Sequence, residues 1–320
     1  VHCFGRNNAG QLGYGNEENI GDNEFPSAVG SVVMGFPVEA FTTGGSHSCA
    51  VSTGDQIRCW GRGFSGRLGY ANEDDIGDDE RPDTVGPVQP GAAVTSVNAS
   101  VNHTCAILID GGVRCWGEGN RGALGYGNEN DIGDDELPLT TEALVFDPAP
   151  VQIVGGLQHT CVLLEDGSVR CWGAGTLGQH GAGTMDDLGD DERADELPSV
   201  NFGGADVVAL TAGDSHTCAL LSTGDVRCWG ANSLGQLGRG HTEDIGDDET
   251  PAAEAVLSFE SPVASIDAGG NHTCVVLEDT TVRCWGSNFN SELGLPGRPT
   301  DEPVGDDELP TDVDPVRILD

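Results

Sequence analysis

The chain has 320 residues, of which 53 are Asp or Glu and 14 are arginine, with no lysine, giving a formal net charge of −39. That balance argues against recognition of a phosphate backbone, which relies on cationic contacts, and favours solubility, cation binding or basic partners. Gly 49 and Pro 16 with 5 % aromatics suit many short strands and tight turns, and no window sustains a helical apolar period or is long enough to span a membrane.

Val1-His2-Cys3-Phe4-Gly5 opens the chain and is the first instance of an arm that returns at Cys59-Trp60-Gly61, Cys115-Trp116-Gly117, Cys171-Trp172-Gly173, Cys228-Trp229-Gly230 and Cys284-Trp285-Gly286. The intervals between the five tryptophans are 56, 56, 57 and 56 residues, and a period so regular marks a repeat architecture. The first copy lacks its His-x-Cys arm, so Cys3 is expected to be unpaired. At the other end, Pro315-Val316-Arg317-Ile318-Leu319-Asp320 stops where the next hairpin is due. The chain is therefore expected to be a segment of a longer protein, or a ring lacking one hairpin arm.

After Cys3, every Cys-Trp arm follows a His-x-Cys arm: His47…Cys49, His103…Cys105, His159…Cys161, His216…Cys218 and His272…Cys274. If the two cysteines of a copy oppose each other across an antiparallel pair, they lie within disulfide reach. The pairs predicted are Cys49–Cys59, Cys105–Cys115, Cys161–Cys171, Cys218–Cys228 and Cys274–Cys284. The alternative is ten reduced cysteines buried as small apolar groups. The same register leaves three-residue tips, Ile109-Asp110-Gly111, Glu165-Asp166-Gly167 and Ser222-Thr223-Gly224, that suit a type I turn closed by a left-handed glycine. Thr53-Gly54-Asp55 and Glu278-Asp279-Thr280 lack that glycine and are expected to be looser. Paired cysteines point to an oxidising compartment, hence an extracellular or cell-surface location.

Each arm leads into a glycine-rich stretch, such as Arg121-Gly122-Ala123-Leu124-Gly125 or Leu234-Gly235-Gln236-Leu237-Gly238, whose glycines permit sharp turns or close approach to a neighbour. An acidic loop follows: Asn19-Ile20-Gly21-Asp22-Asn23-Glu24 in the first copy, Asp75-Ile76-Gly77-Asp78-Asp79-Glu80 in the second, and Pro303-Val304-Gly305-Asp306-Asp307-Glu308 in the last. Two readings of this loop are open. One is a weak calcium site in each copy, since hard cations take carboxylate and carbonyl oxygens and glycine lets the chain curl round them. Its ligands would be drawn from Asp75, Asp78, Asp79 and Glu80; Asp131, Asp134, Asp135 and Glu136; Asp187, Asp190 and Asp191; and Asp244, Asp247, Asp248 and Glu249. The other is a solvated acidic rim. Each repeat closes with an apolar run such as Val151-Gln152-Ile153-Val154 or Val207-Val208-Ala209-Leu210.

The order of apolar strand, Asp214-Ser215-His216-Thr217-Cys218-Ala219-Leu220, Trp229-Gly230 and Gly235-Gln236-Leu237-Gly238 resembles the regulator-of-chromosome-condensation repeat. The resemblance covers essentially the whole chain. It implies an all-β fold, a β-propeller of six or seven four-stranded blades of about 56 residues each, with residues 1–320 forming one domain. The family includes an exchange factor for a small GTPase on chromatin, a plant ultraviolet-B photoreceptor and a secreted β-lactamase inhibitor. The cysteine pairs and long acidic loops depart from the common pattern and favour its secreted, protein-binding members.

Residues repeated in every blade are scaffold rather than catalytic. The histidines of the His-x-Cys arms are expected to fix strand ends, and the tryptophans to pack between blades. Asn98-Ala99-Ser100, Asn102-His103-Thr104 and Asn271-His272-Thr273 match glycosylation acceptors. The position-specific residues His180, His241 and Arg239 assemble no nucleophile, base and acid, so no enzyme is expected. The function expected is an interaction scaffold that binds a protein or other extracellular ligand on a propeller rim, with calcium as its candidate stabilising ion. The alternatives are a structural subunit of an extracellular layer or appendage, and a guanine nucleotide exchange-type regulator.

Overall fold

The structure, a computed structural model, describes residues 1–317; the last three residues of the unit expected at the C-terminus, 318–320, lie outside the described residues. Short apolar segments separated by glycine turns form antiparallel strands, and the helical content is confined to three-residue 3₁₀ turns. Five sheets follow one another along the chain. They are β1 (Val38–Thr43), β2 (His47–Ser52) and β3 (Ile57–Gly61); β4 (Val94–Ala99), β5 (His103–Leu108), β6 (Gly112–Gly117) and β7 (Leu144–Val145); β8 (Pro150–Gly155), β9 (His159–Leu164) and β10 (Val169–Gly173); β11 (Val207–Ala212), β12 (His216–Leu221) and β13 (Val226–Gly230); and β14 (Val263–Ala268), β15 (His272–Leu277) and β16 (Val282–Gly286). The arm at residues 1–5 belongs to a further partial unit, in which Val32 N donates to Val1 O and Gly5 pairs with Ile20.

The fourth strand of each blade is mostly vestigial. Among the described residues only β7 is a strand proper, whereas Ile57–Val88, Val226–Leu257 and Val282–Val316 are single bridges. Pro90 closes one of these segments two residues after its bridge, and proline cannot donate to a ladder.

The hairpin register is the one the cysteine spacing predicts. Cys49 lies opposite Cys59, Cys105 opposite Cys115, Cys161 opposite Cys171, Cys218 opposite Cys228 and Cys274 opposite Cys284. All five pairs are disulfides, and Cys3 is free and buried. The tips without a closing glycine adopt the same turn as the others. Asp55 and Thr280 take the left-handed conformation at φ 60° and 74°, matching Gly111 at 84° and Gly167 at 78°. Aspartate tolerates that region at modest cost, whereas a β-branched threonine is strained there. Each disulfide closes a short loop, and a Cys161→Ala/Cys171→Ala variant is expected to lose about 2–3 kcal/mol of stability on a chain-entropy account. Equal denaturant midpoints for the variant and the parent would contradict this.

The sheets join through a repeated polar latch inside an apolar core. Trp60, Trp116, Trp172, Trp229 and Trp285 are fully buried. The indole N–H of Trp172 donates to Ala123 O at 2.9 Å, in the glycine stretch one repeat earlier, and Trp60, Trp229 and Trp285 reach Gln11, Gln179 and Gln236 in the same way. Trp116 sits in the equivalent place with its Nε1 unpaired. The carbonyl of Ala123 also accepts from Thr160 Oγ1 at 2.9 Å. That hydroxyl in turn meets His103 Nε2 of the preceding repeat at 2.8 Å, a contact repeated for His47–Thr104, His159–Thr217 and His216–Thr273. Buried polar groups need such partners, and here each partner comes from the adjacent repeat.

Candidate functional site

Ladder direction assigns the loops to two faces. His103 pairs with Gly117 at one end of its hairpin and Ile107 with Val113 at the other. The turns between first and second strands, the glycine stretches and the acidic loops therefore share one face, and the three-residue tips lie on the opposite one.

Each acidic loop is built in two parts. In its first half, Ile76 is buried and exchanges both backbone hydrogen bonds with Gly61, at 2.6 and 2.9 Å. Ile132, Leu188 and Ile245 do the same with Gly117, Gly173 and Gly230. The aspartate before each is stapled to backbone: Asp75 Oδ1 accepts from Gly63 N at 2.8 Å, Asp131 Oδ1 from Gly119 N at 2.8 Å, Asp187 Oδ1 from Gly175 N at 3.0 Å and Asp244 Oδ1 from Asn232 N at 2.7 Å. Asp187 also pairs with Arg121 at 3.1 Å. These four carboxylates hold the loop in place.

The glycine at the centre, Gly77, Gly133, Gly189, Gly246 or Gly305, packs against the glycine stretch of the preceding repeat. A Cβ on Gly122 would come 2.4 Å from both Asp190 N and Gly189 C, and one on Gly66 would come 2.1 Å from Asp134 N. The next repeat's loop thus lies backbone-to-backbone on the glycine stretch, which explains the glycines at both sites.

In the second half, three consecutive carboxylates converge. The triads Asp78-Asp79-Glu80, Asp134-Asp135-Glu136, Asp190-Asp191-Glu192, Asp247-Asp248-Glu249 and Asp306-Asp307-Glu308 each bring one oxygen per residue within 4.8 Å of the others. Burial, a hydrogen bond shared with the neighbouring aspartate and the like charges beside it push Glu80, Glu136 and Glu249 up to about 7. Glu192 and Glu308 move in the same direction. Asp78 Oδ1 and Glu308 Oε2 are buried without a hydrogen-bond partner. The candidate ligands read from the sequence therefore separate: Asp75, Asp131, Asp187 and Asp244 lie outside the triads, while Asp78, Asp79, Glu80, Asp134, Asp135, Glu136, Asp190, Asp191, Asp247, Asp248 and Glu249 lie within them. Glu192 and the triad at Asp306–Glu308 complete the set, and the Gly-Asp-Asp-Glu motif was the signal for both. In the first copy Asn23 replaces the central aspartate.

Arginine does little to neutralise this face. The strand arginines Arg58, Arg114 and Arg227 cap backbone carbonyls, those of Met34, Pro90 and Pro251. Among the described residues six ion pairs form, and only Arg298–Glu308, at 2.6 Å, reaches a triad. Of the position-specific residues, His180 is buried and bonded to Asp186 O, and Arg239 pairs with Glu254.

The chain is similar to proteins that share this repeat. The ultraviolet-B receptor UVR8 of Arabidopsis thaliana is 30% identical over 92% of this chain and 62% of its own length. The guanine nucleotide exchange factor SRM1 of Saccharomyces cerevisiae is 26% identical over 80% of this chain and 58% of its own. This chain thus spans about three fifths of those two relatives. Among solved structures, human WBSCR16 superposes with a TM-score of 0.74 at 18% identity, covering 96% of this chain and 76% of its own. Prp20p of Saccharomyces cerevisiae gives 0.69 at 20%, covering 99% and 72%. The profile of the RCC1-like domain matches residues 1–319, and with the repeated latch and blade order described above, the chain belongs to that family.

Proposed function

We propose that this propeller is a non-catalytic interaction scaffold, extracellular or at the cell surface, that engages a cationic protein surface through its acidic-loop face. The observation that carries this reading is the recurrence of five carboxylate triads on one face, with a single arginine reaching any of them among the described residues. Such a surface focuses negative potential and steers basic partners. The family supports protein binding in general: Prp20p was solved alongside its binding properties to Gsp1p and histones. The five disulfides support an oxidising compartment. Calcium suits the same triads, because all their donors are hard oxygens, their separations fit a shared ion, and Asp78 Oδ1 is buried without a partner.

The test is titration of an arginine- and lysine-rich peptide onto the folded chain, with and without calcium. Converting Asp79, Glu80, Asp135, Glu136, Asp248 and Glu249 to their amides is expected to weaken binding about tenfold or more, with a reduced salt dependence. Amides at Asp110, Glu165 and Asp166 on the opposite face should leave it unchanged. Equal losses from both sets would overturn the reading, and calcium that leaves the melting temperature unmoved would remove the metal from it. A second reading, a regulator of the exchange-factor type, is favoured by the similarity to SRM1; release of bound nucleotide from a small GTPase would test it.

A further inference from the structure

The fifth glycine stretch ends differently from the earlier ones. Where the second and third copies carry Tyr70 and Tyr126, each bonded through its hydroxyl to the backbone of its own Cys-Trp arm, this copy carries Arg239. Arg239 lines a cavity of about 410 Å³ between residues 254–259 and 309–311, and its side chain is only 7% exposed. Its Nη2 pairs with Glu254 Oε2 at 3.3 Å and also caps the carbonyl of Ala255. Nε and Nη1 form no hydrogen bond among the described residues and are not sealed from solvent, so they open onto the cavity. The corresponding cavity of the second copy, beside Tyr70 and Asn72, is lined instead by Asp78, Asp79 and Glu80.

The charge at this corner runs against that of the whole chain. Glu254 is the only acidic residue in the cavity wall, and two guanidinium groups bear on it. The second is Arg227, which caps the carbonyls of Pro251 and Glu254; burial first, and then the charge of Arg239, pulls it down. Two positive charges against one carboxylate leave one in excess. His241, also in the wall, adds a donor. Glu243 N donates to its Nδ1 at 3.2 Å, so the neutral ring carries its proton on Nε2. Most of the remaining wall is apolar, with half-buried Phe259, exposed Leu309 and buried Pro310. Phe259 rests on Trp285 with ring centroids 5.8 Å apart. Ligand cavities of this size combine apolar walls with a few placed polar groups. A guanidinium beside an aromatic wall suits a carboxylate joined to a flat ring, and a dianion would exceed the single charge in excess.

We propose that this cavity binds a small aryl monocarboxylate, its carboxylate on Arg239 and its ring against Phe259. The site is separate from the acidic triads, so either reading stands without the other. The test is calorimetric titration of 3-phenylpropionate at about 0.15 M salt, where the long-range repulsion of an acidic chain is screened. The expected result is one saturable site per chain, weakened about tenfold or more in Arg239→Gln. The neutral 3-phenylpropionamide should bind the parent about tenfold more weakly than the acid. An unchanged melting temperature establishes that the Arg239→Gln fold is intact. If it falls, Leu309→Glu serves instead, since it sets a negative charge on an exposed part of the wall and should weaken binding likewise. Binding that survives these changes, an amide that binds as well as the acid, or no binding to the parent chain would overturn the proposal.

Discussion

Replacing Gly122 with alanine is expected to destabilise the protein by about 2–5 kcal/mol, the sum of left-handed strain and forced overpacking. Gly122 has φ +71°, and its new Cβ would meet Asp190 N and Gly189 C at 2.4 Å, backbone atoms that move only if the two repeats separate. Gly10, Gly66, Gly178 and Gly235 face the same obstruction from the next repeat's loop. The sixth copy supplies the comparison. Ser291 occupies the equivalent position at φ 62° and is exposed, so the left-handed turn tolerates a side chain where no neighbouring loop covers it. Gly111→Ala is the control. It has φ +84° with nothing within 4 Å of the added carbon, and should cost only about 1–2 kcal/mol. Denaturant midpoints decide, and equal losses at the two positions would mean that the repeats do not interlock as described.

Acid should also loosen the repeats. Burial holds His47, His103, His159 and His216 down to about 3, against 6.5 in a solvated chain. Between these values the unfolded chain binds protons that the folded chain refuses. Stability is therefore full above pH 6.5 and falls as pH drops toward 3, by about 1.4 kcal/mol per pH unit for each histidine. At pH 5 each would have removed about 2 kcal/mol. Glu80, Glu136 and Glu249 work in the opposite sense. Their raised values mean that stability is lost as pH rises from about 4.5 through 7, but these groups are largely solvated and screened. Relief of repulsion among the many carboxylates acts in that sense too. The clean readout is thus a difference: His159→Gln should lose about 2 kcal/mol less than the parent between pH 7 and pH 5 in denaturant melts. Parallel losses would show that His159 is accessible to protons in the fold.

How much of this was legible in the sequence depended on whether one repeat contained the answer. The disulfide register was legible, because Cys161 and Cys171 sit on one hairpin and their spacing alone sets them opposite. The role of Gly122 was not, because its partner is Gly189, one repeat away, and close approach leaves no trace but the glycine itself. The acidic loop was half legible. Its carboxylates were plain, yet nothing local separated Asp75, bound to Gly63 N, from Asp78, Asp79 and Glu80, which remain available.

The proposed binding surface is one face of the chain, where the carboxylate triads recur. Carbodiimide labelling of carboxylates, mapped by mass spectrometry with and without the cationic peptide, tests it directly. Protection is expected at residues 78–80, 134–136, 190–192 and 247–249, with Asp110, Glu165 and Asp166 labelled equally in both states. Protection at those tips, with the triads still labelled, would contradict it.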